Sequence, residues 1–393
     1  MKVNKSILFF IAYAIYLLFC IFDASFYTKY ICNFEKIVMI FCVALLLLYE
    51  LLRINKTIKI KEFVFATLIF ISIVIMIIHL NGAKMLPLLF FSYSARNINF
   101  KKIAKFTIYI STFAMITIIA SAYMGIIENY KATTIEFGKI RNRTYMGFRY
   151  ALYPQAILFN ISLCYVYCCK NKLTLLKVMF LIAINYVLYT YTNARLSFFM
   201  IVGAIAIFYI YYKYPSFFSS KKLVWKLIIF IFPICAFVSI YITYNYNPSN
   251  DNFVYLNQAL GGRLNLGKNS FSEYPINLFG HDTEFIGGGL DGDGNISNKK
   301  FNFVDCLYIN MLEKYGIIFN FLILAILVYC CFNIEEKKKY DLLIIMFILA
   351  IHGMIDNLEM YLYYNAFWLI SGEILLDKKE GKNYENSSSS SNI

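Results

Sequence analysis

The sequence predicts an all-α polytopic membrane protein with about twelve transmembrane helices and one large extracellular loop. Three observations carry that prediction. Of 393 residues, 60% are hydrophobic and only 15% charged, with a mean hydropathy of +0.61; a soluble domain has roughly 45–50% apolar and roughly 25% charged residues. The apolar residues gather into stretches near the ~20 that a bilayer crossing needs. The basic residues alternate from one connection to the next. The formal charge of +14 is therefore a topology signal. The composition excludes a soluble enzyme, a secreted disulfide scaffold and a nucleic-acid-binding domain.

Candidate spans lie at 7–22, 37–52, 63–80, 84–95, 106–127, 149–169, 175–192, 197–212, 227–244, 303–332, 341–356 and 362–376. The fourth is short and contains Pro87, so it reads as a tilted helix or a re-entrant piece. The tenth is too long for one crossing, and its start, 303–315, reads as an outer-leaflet helix leading into the membrane. With the N-terminus inside, segments 1–6, 53–62, 96–105, 170–177, 213–226, 333–341 and 377–393 are cytoplasmic. They hold 23 of the 37 Lys and Arg but, with Glu50 and Glu373 at the inner ends of their spans, 9 of the 23 Asp and Glu, and every alternate connection follows this bias. Residues 7–22 lack a small-residue cleavage site, which favours an uncleaved first span over a signal peptide. Spans one to nine then occupy 1–244, with an outer loop at 128–148. A large extracellular loop covers 245–302, spans ten to twelve cover 303–376, and the serine-rich tail 377–393 is cytoplasmic and disordered.

Most of the ten cysteines sit inside spans, where a thiol is a small hydrophobe. Cys32 and Cys306 lie near the outer surface, and no zinc-type spacing exists. Asp291-Gly292-Asp293-Gly294-Asn295 has a trace of a calcium loop, but position twelve is Asn302 rather than a bidentate Glu; a flexible tip is the better reading. No metal or cofactor is expected.

Arginine placement is more informative. The chain has 7 Arg, and five of them (Arg141, Arg143, Arg149, Arg195 and Arg263) fall on the outer side. A guanidinium is a planar, always-charged fork matched to phosphate oxygens, so this face suits a phosphate-bearing substrate at headgroup level. Lipid headgroups or acidic neighbours would engage any single one equally well. Arg195 sits in a tight connection between two apolar spans, where a boundary charge is a functional candidate and snorkelling the bland alternative. Arg263 follows Gly261-Gly262. Asp305 opens the tenth stretch with Tyr308 one helical turn on, an expected shared face. His281 is the one histidine outside a span, with His79 and His352 near outer span ends. Asp356 and Glu359 share the last external turn.

These features resemble the Wzy-type polymerases of bacterial capsule and O-antigen repeat units, and the related O-antigen ligases. The resemblance covers roughly 130–376: the late external loop, the hairpin Asn193-Ala194-Arg195, Gly262-Arg263-Leu264, Leu278-Phe279-Gly280-His281, and Asp305-Cys306-Leu307-Tyr308-Ile309 followed by Gly316. Arg143–Gln155 resembles the family's basic entry to a span. Ala194 replaces the usual Ser and Cys306 the usual Asn; Asp305 stands where ligases commonly have His, which favours polymerase and leaves the base unassigned.

The resemblance implies a GT-C-like bundle in the cytoplasmic membrane, its site facing outward. It would polymerise undecaprenyl-pyrophosphate-linked oligosaccharide repeats by glycosyl transfer, with lipid pyrophosphate leaving. Arg195 and Arg263 would stabilise the leaving group, with Arg143 or Arg149 in support and Arg141 binding substrate, and Asp305 as first choice or His281 as second would serve the acceptor hydroxyl. Tyr308, Asp356 and Glu359 would contact substrate. Implied partners are the lipid-linked oligosaccharide, the bilayer, a chain-length regulator and a flippase; nucleic acid is not one. The rivals are ligase-like transfer to another acceptor, or a flippase, which would place charges along mid-membrane helices and lack the long loop.

Overall fold

The computed structural model describes residues 6–53, 67, 70–71, 86–136, 139–219 and 222–376. The span expected at 63–80, apart from residues 67, 70 and 71, and the tail 377–393 lie outside the described residues. The described chain is a bundle of helices with one two-stranded antiparallel sheet.

Among the described residues, six helices are long and apolar enough to cross a bilayer: Ser6–Asp23, Thr28–Leu51, Phe100–Tyr123, Leu175–Thr192, Arg195–Lys213 and Leu307–Glu336. Lys222–Ile228 and Ile231–Tyr244, bent by 60°, make a seventh if they are one span. The twelve expected spans are thus not all full-length helices. At 1.5 Å per residue, the 14 residues of Tyr340–Gly353 reach about 21 Å, short of a hydrocarbon core of about 30 Å. Leu86–Ser94, the expected fourth span, has nine residues. The expected twelfth breaks into a 3-10 turn, Ala366–Leu369, and the helix Ile370–Leu376. The breaks follow from polar side chains that offer the backbone an alternative to the helix. Asp356 accepts from Leu358 N, and Asn365 from Phe367 N.

Tyr153–Cys169 is the central helix, started by Pro154 in its first turn. Every residue from Pro154 to Cys164 is buried, as expected of a helix apolar on all sides. Its buried polar groups bind neighbouring helices: Gln155 donates to Asn185 and Asn185 to Ser162, at 3.3 and 3.2 Å. Asn160 accepts from the Ala366 N–H freed by the break, at 3.1 Å. Bulky residues such as Phe113, Phe180, Phe237 and Phe321 face outward, a surface suited to lipid.

The long tenth stretch does break, at Gly316 (φ 78°, ψ 180°) inside Leu307–Glu336. The loop 277–281 docks into that break. Ile317 N donates to Asn277 O at 3.0 Å and Ile318 N to Leu278 O at 3.2 Å, while Glu313 O accepts from His281 N at 2.8 Å. The interrupted helix thereby recovers partners for its free backbone groups. The two backbones meet at Gly280 (φ 83°) and Gly316; a Cβ at Gly316 would stand 2.4 Å from Gly280 N. No other residue type fits either position.

Ion pairs sort into two ends. Arg96–Glu50, Lys170–Asp341 and Lys339–Glu373 join segments that the sequence assigns to the cytoplasm with one another or with the inner ends of neighbouring spans. Lys29–Asp293, Arg149–Asp23 and Arg263–Asp305 join segments assigned to the other side. None of these pairs crosses from one set to the other.

Candidate functional site

The second end holds a cavity of about 710 Å³, within the range of small-molecule sites. One wall is the hairpin Lys131–Glu136 with Lys139–Thr144, in register Ala132↔Arg143 and Thr134↔Arg141. Strand side chains alternate between faces, so Arg141 and Arg143 share one face with Ala132 and Thr134 opposite them. All four line the cavity. The hairpin is anchored by the Ser25↔Phe148 bridge and by Arg141 Nη2, which donates to Asn193 O at 2.5 Å.

Asn193, left-handed (φ 51°), ends Leu175–Thr192, and Arg195 is the first residue of Arg195–Lys213. Arg195 Nε donates to Asn193 Oδ1 at 3.3 Å. Gly262, also left-handed (φ 87°), precedes Arg263, the first residue of Arg263–Glu273. Arg263 reaches Leu260 O at 2.9 Å, Ile355 O at 3.0 Å and Asp305 Oδ2 at 3.1 Å. A helix N-terminus carries roughly half a positive charge, so arginine there has the unfavourable sign. Two such arginines on one cavity add their charge to two helix N-termini, an arrangement that favours an anion.

Asp305 and Asp356 also line the cavity. Asp305 precedes the helix Leu307–Glu336 rather than lying in it. Burial raises its carboxyl to about 6; Arg263 opposes the rise and Asp356 reinforces it. The described lining thus has four arginines against two aspartates, with His352 and several tyrosines, including Tyr130, Tyr145, Tyr150 and Tyr255.

The expected residues do not all converge. Arg141, Arg143, Arg195, Arg263, Asp305 and Asp356 do. Tyr308 does not share a face with Asp305: it is buried and donates to Ala350 O at 2.8 Å, because the helix begins only after Asp305. Arg149 ties chain segments together, donating to Asp23 O at 3.1 Å and Leu290 O at 3.5 Å. Glu359 is buried against His352. His281 is held in its own loop, where Nε2 faces Pro275 O and Asn277. The Asp291 carboxylate accepts from Asp293 N and from Asn295 N and Nδ2 at 2.8–3.1 Å, contacts within its own loop that hold it below the usual carboxylate range. Asp293 pairs with Lys29 at 2.7 Å. No group of three or more His, Cys, Asp or Glu residues able to hold a metal occurs among the described residues.

Sequence reasoning missed the hairpin, though Arg141-Asn142-Arg143 already alternates. It also passed over His352 and Ser197 as lining residues. An ionisable residue in an apolar helix was the available signal for His352. No protein-family model, curated protein or solved structure matches the chain.

Proposed function

We propose that the protein is a polymerase of lipid-pyrophosphate-linked oligosaccharide repeats. In this reading it has twelve membrane segments, several short or broken, and a GT-C-like bundle in the cytoplasmic membrane with the cavity outward. The observation that carries the reading is the convergence of Arg141, Arg143, Arg195 and Arg263 on one cavity, at the end assigned to the outside by the lysine bias. The reaction leaves negative charge on the departing undecaprenyl pyrophosphate. Preorganised donors lower that barrier, and removing one costs about 2.7–4 kcal/mol. Asp305 and Asp356 would orient the acceptor sugar, and the tyrosines would give its rings apolar faces. A chain-length regulator and a flippase are the proposed partners. Four of the seven arginines gather on this one cavity rather than along mid-membrane helices, which favours an enzyme over a flippase.

The test is a glycan-size profile of cells carrying Arg195→Ala or Arg263→Ala at normal expression. Loss of long polymer with single repeats persisting outside is the expected result. Unchanged polymer in both variants removes the site. Failure of single repeats to reach the outside favours transport, and polymer that forms but is not transferred to its acceptor favours a ligase.

A further inference from the structure

A buried histidine–carboxylate pair, whose histidine is part of the wall of the same cavity, has no part in the scheme above. His352 lies one residue from the end of Tyr340–Gly353 and is 1% exposed. Its Nδ1 is 2.5 Å from Oε1 of Glu359, which is 3% exposed. Glu359 is fixed in turn, since Trp368 Nε1 and Asn365 Nδ2 donate to its carbonyl at 2.7 and 3.2 Å. Phe159 packs on the imidazole with ring centres 4.5 Å apart. With Nδ1 engaged by the carboxylate, the remaining nitrogen, Nε2, is buried without a hydrogen-bond partner. His352 is at the same time part of the cavity wall, with Ile355, Asp356 and Arg263.

A buried polar atom left unpaired costs about 1–3 kcal/mol, so one in a residue of a substrate-sized cavity's wall calls for an explanation. A carboxylate behind an imidazole supplies it. With the Nδ1 hydrogen donated to Glu359, the tautomer is fixed and Nε2, which has no partner of its own, carries the lone pair. Asp305, by contrast, is already engaged by Arg263.

We propose that His352 Nε2 is the general base for the acceptor hydroxyl and that Glu359 is its positioning residue; the assignment rests on the polymerase reading. The acceptor O–H gives its proton to Nε2, and its oxygen forms the new bond to the donor anomeric carbon. The bond from that carbon to pyrophosphate oxygen breaks, and its electron pair leaves with the lipid pyrophosphate. The imidazolium is neutralised by Glu359. Asp356 and Arg263 are the other charged groups acting on the ring.

The test uses full-length protein in detergent–lipid micelles, with lipid-linked single repeats extracted from cells lacking this protein as substrate. His352→Ala is expected to lower kcat by ~10²–10⁴-fold with little change in KM, and added imidazole to restore about tenfold or more of the loss. Glu359→Gln, which keeps the side-chain volume, lowers kcat by about tenfold or more at constant KM, and Glu359→Asp recovers part of it. Wild-type turnover in His352→Ala, or a loss in folded protein that imidazole does not restore, overturns the assignment and leaves the polymerase reading standing. If His352→Ala fails to fold, Glu359→Gln decides: an unchanged kcat overturns the assignment, and a fall at constant KM supports it. Wild-type protein that leaves the repeats single overturns the polymerase reading, and the assignment falls with it.

Discussion

Arginine does opposite work at the two ends of the bundle. Arg96 is clamped by both Glu50 oxygens, at 2.8 and 2.6 Å, and lies 3.9 Å over the Tyr93 ring. That charge is balanced, and it ties the helix Thr28–Leu51 to the turn Ala95–Asn97. Around the cavity, four arginines face two aspartates, and two of the four begin helices. A balanced charge locks helices together, whereas an excess in a concave, partly dry site produces a field that collects anions. The residue type is therefore uninformative until its surroundings are known.

The comparison is sharpened most by exchanging the same substitution between the ends. Arg263→Ala is expected to reduce repeat coupling by roughly 10²–10³-fold. Arg96→Ala leaves chain length unchanged but lowers stability by about 3 kcal/mol, because Glu50 is left half-buried without its partner. Glycan size and the Tm of purified protein separate the two effects; shortened polymer from Arg96→Ala at equal protein levels would erase the distinction.

Next in size is Gly316→Ala. It places a Cβ against the 277–281 loop in a conformation reserved for glycine, at a cost of roughly 3 kcal/mol or more. Gly203→Ala, with open space around it, is the control and should not lower the Tm. Equal Tm values for the two variants would mean that the helix break is not held by this contact.

A smaller effect is expected from pH. Below about 6, Asp305 takes up a proton, one negative charge leaves the cavity, and Arg263 is released toward an anion. Sulfate keeps a constant charge over this range, so its stabilisation of the protein should grow as pH falls through about 6, by roughly three- to tenfold in affinity. Asp356 and His352 share the cavity, so Asp305→Asn isolates the group: the variant should bind sulfate more tightly near neutral pH and lose most of the dependence. An unchanged profile in Asp305→Asn would assign the effect elsewhere. The smallest change is Lys29→Ala, which removes an exposed pair with Asp293; such pairs are screened by salt, and no change in Tm or polymer is expected.

The helical membrane architecture was legible because hydropathy and charge bias are summed over many residues and tolerate local error. Span integrity was not, since a single Asn365 or Gly316 redirects the backbone while barely altering the mean. Six candidate site residues converge because all were chosen by side and chemistry. Tyr308 was misplaced because i, i+3 spacing has meaning only inside a helix, and Asp305 lies before it. His352 and Glu359 sit on either side of a turn, a pairing that no local spacing announces.

The walls of the cavity leave the ribosome at very different times. Arg141 comes first, Arg263 more than a hundred residues later, and Ile355, whose carbonyl accepts from Arg263, later still. A chain stopped before residue 352 would contain all four lining arginines and still lack the backbone acceptor that holds one of them. The wall of the proposed anion site is therefore complete only once the chain has passed residue 356.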